Sequence, residues 1–305
     1  MILLKQMLIF LFMMLLGYGM ARKGVLDERG CKSISWLIVN IANPALVMSS
    51  SVGNTMERSE MLYTFAIAIG AYILMIVIAE LLVPLFCREK KERGVYKALL
   101  VFSNMGFMGF PIMSALYGPQ SLIYGAAFMI PFNFLIYTYG VTSMTGEGAS
   151  LKQALKKCLN IGVISVVFTF MLVIFGLQIP DAFNQAITML ANLTGPLCMI
   201  VIGASFVGIS PKELLGDYRL LIVCAIRLIL MPVIGLLVIR ALTDNTLLAA
   251  VSFIILATPS GSMVSMLAQE YDADYVTASK GVALTMLLSC LLYTSPSPRD
   301  MRRSR

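Results

Sequence analysis

Histidine is absent from the 305 residues and tryptophan occurs once. Without histidine there is no Ser-His-Asp or Cys-His nucleophile pair, no histidine-ligated metal and no histidine pH switch. Charge is scarce as well. Asp, Glu, Lys and Arg make up 13% of the chain, where a soluble domain carries about 25%. Hydrophobic residues fill 59% and the mean hydropathy is +0.86, which excludes an ordinary soluble fold. The six cysteines, Cys31, Cys87, Cys158, Cys198, Cys224 and Cys290, form no CxxC pair. They scatter along apolar stretches and read as small buried hydrophobes, neither a disulfide frame nor a thiol metal site. No cofactor and no enzymatic activity are expected. The 23 basic and 16 acidic residues leave a formal charge of +7, which reads as membrane-orientation charge with no nucleic-acid partner.

What the chain does have is apolar length. A spanning helix needs about 20 mostly apolar residues, and ten such runs occur. They cover 2–21, 34–52, 61–86, 95–117, 121–144, 159–177, 182–207, 220–242, 246–268 and 275–293. The expected fold class is therefore an all-α polytopic membrane protein with ten transmembrane helices. The first run has only Lys5 before it and Arg22, Lys23, Arg29 and Lys32 after it, so it reads as a retained helix and not a signal peptide. Fourteen Lys and Arg residues fall in the loops after helices 1, 3, 5 and 7, among them Arg22, Arg88, Lys97, Lys152 and Arg219, against Lys5, Arg58 and Arg240 on the other side. That bias places the loops after the odd-numbered helices in the cytoplasm and the N-terminus outside the cell membrane.

The prolines repeat. Pro44 and Pro196 are 152 residues apart, and Pro84/Pro232 and Pro111/Pro259 are each 148 apart, always in corresponding helices. This predicts two five-helix halves, residues 1–144 and 159–293, joined by a cytoplasmic link at 145–158. An odd number of helices per half inverts the second half, a hallmark of secondary transporters. The stretch 294–305 is polar, Pro-rich and basic on the wrong side of the charge rule, and reads as a non-native tail beginning near residue 290.

Helices 4 and 9 are interrupted in corresponding places. Helix 4 carries Asn104, Gly106, Gly109 and Pro111 in its middle, and helix 9 carries Thr258, Pro259, Ser260, Gly261 and Ser262. Proline removes a backbone donor and glycine weakens the helix. Unpaired backbone is tolerated in lipid only where it is buried in protein or lines a cavity. Paired breaks point to a substrate site, and half-helix N-termini suit a small carboxylate. Ser114, further along helix 4, is expected to lie outside that site. In helix 2, Asn40 and Asn43 stand one turn apart; Asn43, before Pro44 and opposite Gly195-Pro196, is a candidate for the scaffold side of the cavity. Asn133 follows Pro131 in helix 5 as a further buried amide.

With LGYGMARKGVL after helix 1, NIANPALVMSSSV in helix 2, SNMGFMGFPIMSALYG in helix 4, GPLCMIVIGASF in helix 7 and ATPSGSMVSMLAQEYDADYVTAS through helices 9 and 10, the chain resembles the auxin efflux carrier family over residues 1–289. That family includes plant auxin exporters and bacterial permeases for malate- or malonate-like acids. The resemblance implies a five-plus-five inverted repeat, helices 4 and 9 crossing at their breaks, a scaffold of helices 1, 2, 6 and 7 and a mobile unit of the other six. The expected function is secondary transport of a small organic anion by alternating access, with an elevator-like or rocking motion; a homodimer is left open. A sodium-coupled symporter or cation antiporter of similar fold, and a membrane sensor or scaffold that moves nothing, are the alternatives.

Three charges lie inside the spans. Glu80 in helix 3 and Arg227 in helix 8 sit at similar depths, roughly 9 and 12 Å from the same face by the helical rise, and are expected to meet as a charge pair near the transport path. Lys280 in helix 10 is expected to reach toward Glu270, Asp272 and Asp274.

Overall fold

The computed structural model describes residues 2–51, 57–146, 156, 159–207 and 216–294. Residues 295–305 and nearly all of the 145–158 link fall outside the described residues. The described residues form α1 (Ile2–Arg22), α2 (Glu28–Ser49), α3 (Arg58–Phe86), α4a (Lys90–Val101), α4b (Met105–Tyr117) and α5 (Ser121–Thr145). The chain continues with α6 (Ile161–Ile174), α7 (Asp181–Ser205), α8 (Tyr218–Leu242), α9a (Thr246–Ala257), α9b (Ser262–Glu270) and α10 (Tyr275–Thr294). Five of these, α2, α3, α5, α7 and α8, are each long and apolar enough to cross a membrane alone, and shorter apolar helices accompany them. The chain is an all-α, multi-pass membrane protein.

Local sequence explains where the helices begin. Asp27 caps α2 by accepting from the Gly30 N–H at 2.7 Å, so α2 starts six residues before its apolar run. Asn160 caps α6 through Val163, and Asn245 caps α9a through the N–H groups of Leu247 and Leu248. These side chains satisfy donors that the first turn leaves unpaired. At the other end, α10 continues to Thr294, past the point near 290 where its native sequence was expected to stop.

Three prolines follow a wide, π-helical turn. Asn43 N–H donates to the Ile38 carbonyl, Phe110 to Met105 and Met231 to Ile226, each five residues back. Pro44, Pro111 and Pro232 come next in line. Proline cannot donate to the carbonyl four residues behind it. The wide turn lets the preceding residue reach further back, and the helix goes on without a break.

The helices sort into two groups. In one, α7 packs along α1 and α2, and α6 packs on α2. The α1–α7 contact is a reciprocal close approach: a methyl group added at Gly17 would lie 2.0 Å from the Ile200 carbonyl oxygen, and one at Gly203 would lie 1.9 Å from that of Met14. Only glycine permits such backbone proximity, the usual device for tight packing in lipid. In the other group α3 packs on α4a and α5, α8 on α9a and α10, and α9b on α10. Contacts of α7 with α4b, α6 with α5 and α1 with α10 join the two groups.

Candidate substrate site at the helix crossing

The interruptions of helices 4 and 9 meet. Phe102 to Asn104 and Thr258 to Gly261 run past each other as a short antiparallel bridge between Ser103 and Ser260. The Asn104 N–H donates to the Pro259 carbonyl and the Gly261 N–H to the Phe102 carbonyl, both at 2.8 Å. The break in helix 4 thus lies at Phe102–Asn104, on the N-terminal side of where the prolines and glycines suggested. Pro111 is not in it; it stands in the first α-helical turn after the π turn. The break in helix 9 covers Thr258, Pro259, Ser260 and Gly261 as expected, and Ser262 opens α9b.

Most of the polar groups here hold the crossing together. The Ser260 hydroxyl donates to the Leu99 carbonyl at 2.7 Å, and the Ser260 N–H donates to the Thr285 hydroxyl of α10 at 3.2 Å. The Thr258 hydroxyl donates to the Ile255 carbonyl at 2.8 Å, which Pro259 cannot serve because it has no N–H. Two hydroxyls expected to face substrate therefore spend their protons on half-helix carbonyls.

Two amides remain. Asn104, at the N-terminal end of α4b, and Asn43, in α2, are each 4% exposed. The Asn104 side-chain nitrogen and the Asn43 side-chain oxygen have no hydrogen-bond partner among the described residues. Gly106 of α4b lies against Asn43: a methyl there would sit 3.2 Å from the Asn43 side-chain nitrogen. Gly109 faces Thr258, and Pro111 faces Gly195 of α7. The buried Thr194 hydroxyl, beside Gly195, is also unpartnered among the described residues. An orphaned buried donor costs about 1–3 kcal/mol, so these groups are the candidates for contact with a ligand or water.

A crevice of ≈ 250 Å³ runs between the groups, walled by α1, α2 and α7 on one side and Pro111, Ser114 and Ala115 of α4b on the other. Ser114 lines this crevice.

The remaining candidates are placed elsewhere. Asn133 donates to the Met129 carbonyl at 2.8 Å and accepts from Asn160 at 2.7 Å, clipping α5 to the start of α6. Glu80 and Arg227 do not form the expected pair. Lys97 of α4a reaches Glu80 first, at 2.6 Å, and Tyr139 of α5 donates to its second oxygen at 2.8 Å. Arg227 instead points inward and donates to the Leu100 and Thr258 carbonyls. Equal depth along two helices said nothing about which way each side chain turned. Lys280 is half-buried in α10, beside Gly281, which Leu99 of α4a approaches closely.

Residues 2–295 match the membrane transport protein family. The chain belongs to that family, the auxin efflux carrier family. It is similar to an uncharacterized transporter of Methanocaldococcus jannaschii, 26% identical over 96% of this chain and 97% of the relative. It is also similar to an uncharacterized transporter of Methanothermobacter thermautotrophicus, 24% identical over 93% and 94%. The chain is accordingly a membrane transporter. The crossing lies inside the matched region.

Proposed function

We propose that this carrier moves small organic anions through the helix crossing, by motion of α3, α4, α5, α8, α9 and α10 against a scaffold of α1, α2, α6 and α7. The observation that carries the reading is the unpartnered Asn104 amide nitrogen at the N-terminal end of α4b. There the first N–H groups of the resumed helix lack helical acceptors, and the end carries roughly half a positive charge. A carboxylate satisfies both. Asn43, across Gly106, supplies the scaffold side, so the ligand bridges the two groups of helices. The halves 1–144 and 159–293 are read as inverted repeats, with the N-terminus outside and the loops after the odd-numbered helices in the cytoplasm. The substrate class leans on the family, whose bacterial members include permeases for malate- or malonate-like acids.

The test is a binding titration of purified Asn104→Ala and parent protein against a panel of mono- and dicarboxylates, with thermal melting as the folding check. Loss of one hydrogen bond to a charged group is worth roughly 1.5–3 kcal/mol, or roughly 10- to 150-fold in affinity. Thr188→Ala, on an exposed face of α7 where the hydroxyl bonds only its own helix, is the neutral control. Equal affinity of Asn104→Ala and parent, both folded, removes Asn104 from the site. Uptake of the tightest ligand into proteoliposomes separates a carrier from a sensor that binds without moving its ligand.

A further inference from the structure

Each interrupted helix ends in carbonyls that the helix no longer serves. The Leu100 carbonyl would accept from Asn104 in a continuous helix, but the Asn104 N–H turns to Pro259. The Ile255 carbonyl would accept from residue 259, which is proline. The Thr258 carbonyl lies inside the break. Arg227 reaches all three, the Ile255 carbonyl alongside the Thr258 hydroxyl. Its guanidinium donates to Leu100 at 2.7 Å, Thr258 at 3.1 Å and Ile255 at 3.5 Å, and one nitrogen also faces the Met75 and Met231 sulfurs. The side chain is fully buried and springs from the wide turn Ile226–Leu230 of α8. Turns of this kind gather at functional positions.

We propose that Arg227 is the resident cation of the crossing: a positioning residue that closes the C-terminal ends of α4a and α9a and balances their charge. The opposed N-terminal ends of α4b and α9b then face the substrate as unopposed positive poles. Each helix end carries about half an elementary charge. Two C-terminal ends therefore sum to about −1, and one guanidinium offsets them. In sodium-coupled carriers, unwound carbonyls and half-helix C-terminal ends of this kind hold the coupling cation; here the protein supplies the cation itself. Arginine suits the role because its planar, permanently charged fork reaches carbonyls on two helices at once, which a lysine point charge does not. The inference rests on the anion-carrier reading for what Arg227 does to substrate, but not for how it holds the crossing.

The test uses the full chain purified in detergent, as parent, R227M and R227K, with malonate as the anion probe. Melting is followed in sodium chloride and in choline chloride of equal ionic strength. The parent is expected to melt at the same temperature in both salts. R227M is expected to melt lower by roughly 10 °C, to regain part of that loss in sodium chloride or dilute guanidinium, and to bind malonate about tenfold more weakly or worse. R227K, which keeps the charge and loses the fork, is expected to melt below the parent while holding malonate nearly as well. Sodium-dependent melting of the parent overturns the proposal, as does R227M with parental melting and affinity. Where R227M does not fold, R227K decides: retained malonate affinity supports the assignment and lost affinity overturns it. Failure of the parent to bind any of the carboxylates strikes the anion reading alone, and the salt comparison still decides on Arg227.

Discussion

Gly261 is the tightest point of the crossing. A methyl group there would lie 3.0 Å from the Ser103 carbonyl oxygen, 3.3 Å from its carbon and 3.5 Å from the Phe102 oxygen. Its φ of −72° and ψ of 137° suit any residue, so Gly261→Ala brings no backbone strain and the effect is one of space. The obstacles are backbone atoms held by two 2.8 Å bridging hydrogen bonds; they cannot swing aside as the end of a side chain does. The strands must part by a few tenths of an ångström, stretching the Gly261–Phe102 bond. Overpacking costs about 1–3 kcal/mol, and a weakened hydrogen bond adds a part of its ~1 kcal/mol. The stiffer unfolded chain returns about 0.4–1 kcal/mol. The net is a loss of about 1–3 kcal/mol, or roughly 3–10 °C in melting temperature. Gly70→Ala is the comparison, because nothing stands within 4 Å of a methyl there; it is expected to be neutral or stabilising by up to about 1 kcal/mol. Melting of both variants beside the parent is the assay. Gly261→Ala melting with the parent would mean that the two breaks do not lie against each other in this register.

Two further outcomes follow from the charged groups. Glu80→Gln breaks a pair whose acidic partner is 43% exposed, so it is expected to cost about 1 kcal/mol or less and to leave the protein folded; collapse on melting would mean that Glu80 supports a buried charge after all. A cysteine placed at Arg88 is expected to resist an impermeant thiol reagent applied to intact cells; strong labelling would reverse the orientation drawn from the loop charges.

The lengths of the apolar runs placed the described helices to within a few residues, except at the starts of α2 and α4a, where polar residues carry the helix outward from its apolar stretch. The existence of the two breaks was legible too, because Pro259 with its Ser and Gly neighbours cannot propagate a helix. The exact seat of the helix-4 break was not. Gly106, Gly109 and Pro111 looked like the breaking residues, yet the π turn at Met105–Gly109 absorbs them. What parts the helix is tertiary: the Asn104 N–H finds a better-placed carbonyl on Pro259. The same limit applies to the side chains. Sequence names Ser260, Thr258 and Asn104 as equals, and only the crossing shows that the two hydroxyls serve orphaned carbonyls while the amide stays unpartnered. Arg227 was visible as an intramembrane charge, but the oxygens it serves are backbone atoms, which leave no trace in residue identity.

These distinctions bear on how the proposed site, which has no charged ligands, would select an anion. At the crossing four half-helix ends converge, two positive and two negative, and together they would cancel. Arg227 touches carbonyls from the negative pair, Leu100 of α4a and Ile255 of α9a. Its charge therefore falls on one side of the bridge between Ser103 and Ser260. The compensation leaves about one positive charge at the N-terminal ends of α4b and α9b, where Asn104 keeps a donor without a partner among the described residues. Under the anion-carrier proposal a single carboxylate matches that field, with the body of the ligand turned toward Asn43 and the crevice beside Pro111. The proposed selectivity for anions then resides in backbone direction and in the Arg227 guanidinium. Asn104→Ala should weaken every carboxylate by a similar factor, since it removes a donor shared by all of them, while the ranking among carboxylates follows from the crevice walls. A change of ranking in Asn104→Ala would place that amide against the variable part of the ligand instead.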